Sequence, residues 1–162
     1  VITTLNLHAP DEVNIPHYVE GDACDMHQFK DQQFDLVISN SVIEHLPSRD
    51  DQQRMAAEIS RVGKACWVQT PNRYFPLELH LCFPLIQFFP VSWRMAVARK
   101  WPFSFEMLRG RPEGAVKDAQ VILLSKRELK SMFPAATLIC ERFFGISKSL
   151  IVYKPAAESL SE

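Results

Sequence analysis

The run Phe34–Ser39 (FDLVIS) constrains the fold more than any other stretch of this chain. Its nearly continuous apolar character is typical of a strand buried on both faces of a parallel sheet, since a half-exposed strand would alternate. A helix should follow, because Ser48 is a good N-cap, apolar residues recur at helical spacing, and Gly63 supplies a stop. Ala65–Thr70 (ACWVQT) is then the next strand. Strand, helix and strand in this order predict an α/β fold.

Further strands are predicted near both ends of the chain. Val1–Leu7 and His17–Glu20 are strand-like, with a loop from His8 to Ile15 between them. Ala136–Phe144 and Ser149–Lys154 are also strand-like and meet around a glycine. The last two strands are therefore predicted to form a closing antiparallel hairpin.

A capping box predicts one more helix just before that hairpin. Ser125 and Glu128 stand three residues apart, and the apolar residues that follow lie on one helical face. The tail Pro155–Glu162 is small and polar, so we expect it to be frayed.

Composition and charge limit the class of protein. The chain has 162 residues, 47% of them hydrophobic, and a net charge of −1, which is typical of one soluble globular domain over residues 1–162. The near-neutral balance creates no general field for a polyanion, so we expect no nucleic acid partner. The four cysteines form no CxxC pair, and we expect reduced, structural thiols and a cytoplasmic protein.

The segment 74–118 interrupts the rhythm of strands and helices. Its first part, 74–103, holds five of the eleven phenylalanines, two tryptophans and four prolines. The prolines and charges argue against a single transmembrane helix, which needs about twenty unbroken apolar residues. We expect short helices that form an insertion or lid, whose aromatic residues line a substrate pocket, build the insertion's own core, or offer a contact surface. The polar stretch Arg109–Asp118 is expected to be a mobile connection.

Three strand ends carry the residues on which a family resemblance rests. Gly21-Asp22-Ala23 ends one strand, Asn40 follows FDLVIS, and Thr70-Pro71-Asn72 ends the next strand. Together with the terminal helix and hairpin, this order resembles a class I S-adenosylmethionine (SAM)-dependent methyltransferase of the small-molecule group, over nearly the whole chain. The resemblance implies a Rossmann-like sheet with a C-terminal antiparallel hairpin, SAM as the cofactor, and binding beyond the carboxyl ends of the strands.

The sequence departs from that family in two places. The family's glycine-rich loop is missing, because the chain has only five glycines and none stands in a GxG pattern. We therefore expect the chain to be truncated at its N-terminus, without the first strand and the loop that cradles the methionine part of SAM. Asn6 stands where the family usually has an acid for the ribose hydroxyls, and an amide lacks the charge-assisted strength of a carboxylate.

The resemblance assigns cofactor roles to three further residues. Asp22 would accept a hydrogen bond from the adenine amino group, and the Ala23 backbone amide would reach a ring nitrogen. At Asn40 the backbone would contact the amino group of SAM while the side chain faces the substrate. The alternative for Asp22 is a loop residue that caps its own turn, and the alternative for Asn40 is turn geometry.

Glu44 and His45 are adjacent residues whose side chains can take part in acid–base catalysis or metal binding. His45 is a candidate general base for a substrate hydroxyl, since histidine titrates near neutral pH. The pair is similar to the E-x-x-E-H metal site of ubiquinone-pathway and small-RNA O-methyltransferases, but Ser41 stands at the first acid. Because two ligands are weak evidence for a metal, with His80 a conceivable third, we expect no metal and favour structural polar roles for the pair.

The resemblance thus implies a methyltransferase that acts on a small, partly apolar molecule, with O-methylation preferred and Tyr74 and His80 facing the substrate. The alternative for His80 is a hydrogen-bonded packing residue. The alternative is a non-catalytic remnant that serves as an oligomerisation or membrane-peripheral module, with a homo-oligomer or a peripheral membrane contact as its partner. A nicotinamide-binding Rossmann domain is disfavoured, because its glycine fingerprint is missing as well.

Overall fold

The computed structural model of the protein describes residues 1–8 and 17–156. The predicted loop is outside the described residues except for His8, and so is the predicted tail beyond residue 156. The elements are β1 (Thr4–Asn6), β2 (Tyr18–Glu20), β3 (Phe34–Asn40), α1 (Arg49–Val62), β4 (Gly63–Pro71), β5 (Leu77–Glu78), β6 (Phe83–Pro84), α2 (Val91–Ala98), α3 (Phe105–Leu108), α4 (Pro112–Asp118), α5 (Lys126–Met132), β7 (Thr137–Phe143) and β8 (Ile146–Lys154).

The main sheet has four strands in the order β3-β4-β8-β7. β3 and β4 are parallel and are joined by α1, whereas β8 is antiparallel to both β4 and β7. β1 and β2 form a separate parallel pair. The predicted α/β fold with a closing antiparallel hairpin is confirmed.

β3 lies at an edge of the main sheet and is not buried on both faces, so that expectation was wrong. Leu36 and Ile38 are 48% and 65% exposed, while Ser39 is buried. β4 is the only hydrogen-bonded neighbour of β3 within the described residues. An apolar run therefore marks strand formation here, but it does not report how many faces of the strand are covered.

The helices α1 and α5 begin where their capping residues predict. The Ser48 hydroxyl accepts from the Asp51 backbone N–H, and α1 ends at Gly63. Ser125 and Glu128 form the complete capping box of α5. Because each cap satisfies backbone donors that the helix itself leaves free, these boundaries were predictable from the local sequence.

The main core lies between α1, α5 and one face of the sheet. Its fully buried members come from all of these elements and pack as one cluster: Ile43, Met55, Ile59, Val62, Val68, Leu124, Leu129, Leu150 and Val152 are among them. All four cysteines are free thiols, as the spacing predicted.

The insertion contains short helices, a two-stranded hairpin and a small core of its own. Leu81, Ile86, Ala98, Ala115 and Ala119 form this second cluster. The expectation of a mobile connection over Arg109–Asp118 was wrong, because α4 occupies Pro112–Asp118. Pro112 is the first helical residue, where its missing N–H costs nothing. None of the helices in the described ranges is long and apolar enough to cross a bilayer.

Candidate functional site

A tight turn after β3 sets the position of the candidate site. Ser41 has a left-handed backbone (φ 53°) and donates its N–H to the Gln69 carbonyl at 3.0 Å. The chain then enters the 3-10 turn Ile43–His45 at the carboxyl ends of β3 and β4. Left-handed backbone is uncommon for a residue other than glycine and often occurs at functional sites. This turn buries Glu44 and leaves its neighbour His45 exposed.

Glu44 is a fully buried carboxyl group with one free oxygen. Its Oε2 accepts from the Thr70 hydroxyl at 3.0 Å, whereas Oε1 has no hydrogen-bond partner among the described residues. Burial raises the pKa of Glu44, and the Thr70 bond opposes this only in part. A buried carboxyl oxygen without a partner is costly, so it is a group that a ligand or an ion would satisfy.

The insertion brings His80 to the same place. The Nδ1 of His80 lies 2.7 Å from the Glu78 Oε1, and the other oxygen of Glu78 accepts from the Leu81 backbone N–H at 2.7 Å. Burial lowers the pKa of His80, but the hydrogen bond and charge of Glu78 outweigh it, so the pKa lies above its ordinary value. A carboxylate at Nδ1 fixes the ring so that Nε2 points away from Glu78.

Glu44, His45 and His80 form one cluster, although they come from two distant segments. One oxygen of Glu44 and one ring nitrogen from each histidine all lie within 4.8 Å of one another. The two imidazoles are perpendicular, with ring centroids 5.0 Å apart. Asp118, at the end of α4, is near enough for its charge to raise the pKa of His80.

Gln52 holds the two segments of the cluster together. Its Nε2 donates to the Ile43 carbonyl and to the Ile122 carbonyl, both at 2.9 Å. The Ile122 N–H in turn donates to the Glu44 carbonyl at 2.8 Å. Because Ile122 lies where the chain returns from the insertion, this one fully buried amide ties the insertion to the 3-10 turn.

The predicted cofactor residues lie at the ends of β1, β2 and β3. The Asn6 carbonyl accepts from the Gly21 N–H at 2.9 Å, which places Asn6 beside the Gly-Asp-Ala turn. A Cβ on Gly21 would lie 2.6 Å from Gln28 Nε2 and 2.9 Å from Leu5 Cδ1, so a larger residue here would have to displace the ends of these two side chains. Asn40 lies on the other sheet, and no hydrogen bond within the described residues joins it to the Asp22 turn.

Asp22 caps its own turn, as its alternative interpretation stated, but this uses only one oxygen. Its Oδ1 accepts from the Cys24 N–H at 2.8 Å. Within the described residues, Oδ2 takes part in no hydrogen bond, and the side chain is exposed. The same turn is fastened to α1, because the Cys24 thiol donates to the Asp51 carbonyl at 3.3 Å. This bond fixes the Asp22 turn against the first turn of α1.

These residues fit the adenosine half of SAM better than the methionine half. Asp22 Oδ2 is free to accept, Ala23 carries a backbone N–H, and Asn6 keeps its amide N–H groups, since only its Oδ1 is engaged by Leu7 N–H. The five glycines of the sequence include no glycine-rich turn for the methionine half. Together these groups fit adenine and ribose.

Tyr74 is not a member of the cluster of Glu44, His45 and His80, and its predicted contact with the substrate stays a prediction. It is exposed and stacks on Phe88, with ring centroids 6.2 Å apart. A groove of about 700 Å³ opens nearby on the insertion, and neither Tyr74 nor His80 lines it. Its lining residues are Phe83, Ser92, Trp93, Ala96, Val97, Lys100 and Trp101.

The insertion also presents exposed aromatic side chains. Phe88, Phe89, Trp93, Phe103 and Phe105 are all exposed. They are the feature on which the membrane-peripheral or oligomeric alternative depends, and that alternative stays a prediction.

Four residues of the site were missed in the sequence: Gln52, Thr70, Glu78 and Asp118. Glu78 carried the clearest signal, because an acid two residues before a histidine can reach its ring from a hairpin. Gln52 gave no signal, since a glutamine in the first turns of a helix is ordinary on an exposed face.

Comparison with known proteins supports the family resemblance in part of the chain. Residues 2–65 match the family described as a methyltransferase domain, which is less than half of the chain. The predicted resemblance to class I methyltransferases is confirmed over this range, which includes Asn6, Asp22, Asn40 and Glu44-His45. No curated protein sequence matches the chain.

Solved structures share the fold at low sequence identity. A possible exported protein from Bordetella parapertussis has a TM-score of 0.52 at 13% identity, with 86% of this chain and 44% of that chain covered. A candidate zinc-dependent alcohol dehydrogenase from Rhodobacter sphaeroides has a TM-score of 0.51 at 11% identity, with 86% and 66% covered. A candidate O-methyltransferase from Nostoc punctiforme has a TM-score of 0.44 at 15% identity, with 85% and 36% covered, a similarity too weak to support a conclusion. The chain spans less than two thirds of each of these structures.

Proposed function

We propose that the protein is a SAM-dependent methyltransferase whose acceptor is an oxygen of a small, partly apolar molecule. The match of residues 2–65 to the methyltransferase domain family supports this proposal. The observation that carries the proposal is that the matched range contains the polar ends of β1, β2 and β3. Ligands of open α/β sheets bind beyond the carboxyl ends of the parallel strands, where these residues lie.

Asp22, Ala23 and Asn6 would hold the adenosine end of SAM. The free Oδ2 of Asp22 would accept from the adenine amino group, and the Ala23 N–H would donate to a ring nitrogen. The Asn6 amide would contact the ribose, and Asn40 would lie on the methionine side. SAM supplies an electrophilic methyl group on a sulfonium centre. The chain contributes mainly proximity and alignment, which are the largest contributions available to such a transfer.

His45 would take the proton of the acceptor hydroxyl in the metal-free protein. Its side chain is exposed, and no hydrogen bond within the described residues occupies its ring nitrogens. It follows the strand end that carries Asn40, so the base would lie on the acceptor side of the cofactor. The insertion reaches this end of the sheet through His80, and the exposed aromatic side chains that it carries support a partly apolar acceptor.

Asp22→Asn is expected to weaken SAM binding by about tenfold or more, since a hydrogen bond to a charged group contributes about 1.5–3 kcal/mol. Asparagine keeps the Oδ1 that accepts from Cys24 N–H, so the turn should survive. Its Nδ2 replaces the free oxygen and cannot accept from the adenine amino group. Isothermal titration calorimetry of SAM into the complete gene product that contains residues 1–162 measures this change.

Asp25→Asn is the matched control. Asp25 is an exposed carboxylate three residues further on, and its partner is the exposed His27 at 3.2 Å. This variant should bind SAM as the wild type does. Equal losses in both variants would mean that local charge, rather than contact with adenine, governs binding, and would contradict the role proposed for Asp22.

A further inference from the structure

We propose that Glu44, His45 and His80 bind one divalent transition metal ion, such as Zn²⁺. This goes beyond the proposed methyl transfer, because the metal would bind in the absence of SAM. The ligand set also differs from the E-x-x-E-H pattern, in which the first acid would stand at Ser41. Here the third ligand comes from the insertion instead.

The donor atoms have the chemistry of a metal site. Two imidazole nitrogens and one carboxylate oxygen, within 4.8 Å of one another, form a set that zinc and other first-row divalent ions bind with a position left open. Hard ions such as Mg²⁺ prefer sites made of oxygen ligands, so this set favours the transition metals.

The free oxygen of Glu44 is an independent sign of a ligand. The Glu44 side chain is 0% exposed, and its Oε1 has no hydrogen-bond partner within the described residues. Thr70 orients the carboxylate by donating to the other oxygen at 3.0 Å. A metal ion would satisfy the unpartnered oxygen and balance the buried charge.

His80 has the outer partner that metal-binding histidines usually have. Glu78 is 3% exposed and accepts from Nδ1 at 2.7 Å, which leaves Nε2 as the metal-binding nitrogen. Glu78 is itself fixed by the Leu81 N–H. His45 is exposed and unconstrained by side-chain hydrogen bonds among the described residues, so its ring can rotate to close the site.

The test is titration of Co²⁺ into the untagged, metal-free complete gene product, followed by its visible d–d absorption, with Zn²⁺ as competitor. We expect one Co²⁺ per chain with micromolar or tighter affinity, displaced by Zn²⁺ and not by Mg²⁺. His80→Ala and His45→Ala should each weaken Co²⁺ binding by more than about 100-fold, because each removes a ligand. Glu78→Gln should weaken it by roughly 10–100-fold, as expected for an outer partner.

His27→Ala is the matched control, because His27 also pairs with a carboxylate but lies on the surface. It should bind Co²⁺ as the wild type does. His45→Ala should fold normally, because it removes only an exposed side chain, and its circular dichroism spectrum should equal that of the wild type. A loss of Co²⁺ binding in this variant therefore reports the loss of a ligand rather than misfolding. Absence of saturable binding in the wild type would overturn the proposal, and so would wild-type affinity in folded His45→Ala and His80→Ala. Neither result depends on SAM binding, so the SAM titration tests the methyltransferase proposal independently of the metal site.

Discussion

Gln52→Ala is expected to destabilise the protein by about 3 kcal/mol. The substitution removes the amide that donates to the Ile43 and Ile122 carbonyls, and each deprived carbonyl costs about 1–3 kcal/mol when it is buried. It also removes the Oε1 that accepts from the Arg49 guanidinium at 2.8 Å. At roughly 2–4 °C per kcal/mol for a chain of this size, the melting temperature should fall by about 6–12 °C. Thermal and urea unfolding measure the change.

Gln53→Ala is the control for this prediction. The neighbouring glutamine occupies the same helix but is exposed, so its loss should change the free energy of unfolding by less than about 0.5 kcal/mol. An effect of Gln52→Ala as small as that of Gln53→Ala would contradict the role of Gln52 as the link between the insertion and the 3-10 turn.

Ile59→Ala is expected to destabilise the protein by about 2–5 kcal/mol. Ile59 is 1% exposed and packs in the main core beneath the sheet. Removing its side chain loses the transfer free energy of the buried methyl groups and leaves a cavity that the neighbours fill only in part. The free energy of unfolding from urea titration is the measurement.

Ile38→Ala makes the same chemical change on the exposed face of β3. Ile38 is 65% exposed, so we expect a loss below about 1 kcal/mol, mainly from β propensity. A loss as large as that at Ile59 would contradict the exposed position of this edge strand and would show that another chain segment covers it in solution.

The elements predicted well were those whose signals are local. α1 and α5 have side-chain caps, and the last two strands are short runs on either side of Gly145, which has φ 81° in the turn. α4 was missed because polar residues and two glycines, Gly110 and Gly114, suggested a mobile loop, whereas Pro112 begins a helix there. The exposure of β3 was missed because sheet order is a tertiary property that an apolar run does not encode.

The residues of the candidate site also differ in whether local sequence or the tertiary fold determines their position. Asp22 and Asn40 were found because strand ends can be located from the sequence, and the Glu44-His45 pair because its members are adjacent. His80 was named as a conceivable third ligand, but its position beside Glu44 and His45 could not be derived from the sequence, since it depends on how the insertion folds back. Gln52 fixes that return through its hydrogen bond to the Ile122 carbonyl, which spans 70 residues of sequence.

The most direct test of the central claim is a map of S-adenosylhomocysteine binding by NMR. Amide ¹H–¹⁵N spectra of the complete gene product should be recorded during titration with this demethylated form of SAM. Saturable shift changes are expected at the Ala23 amide, proposed to contact adenine, and at the Asn40 amide, proposed to lie on the methionine side of the cofactor. Shift changes confined to the aromatic groove around Trp93 and Trp101, or no changes at all, would contradict the claim and would favour the non-catalytic alternative.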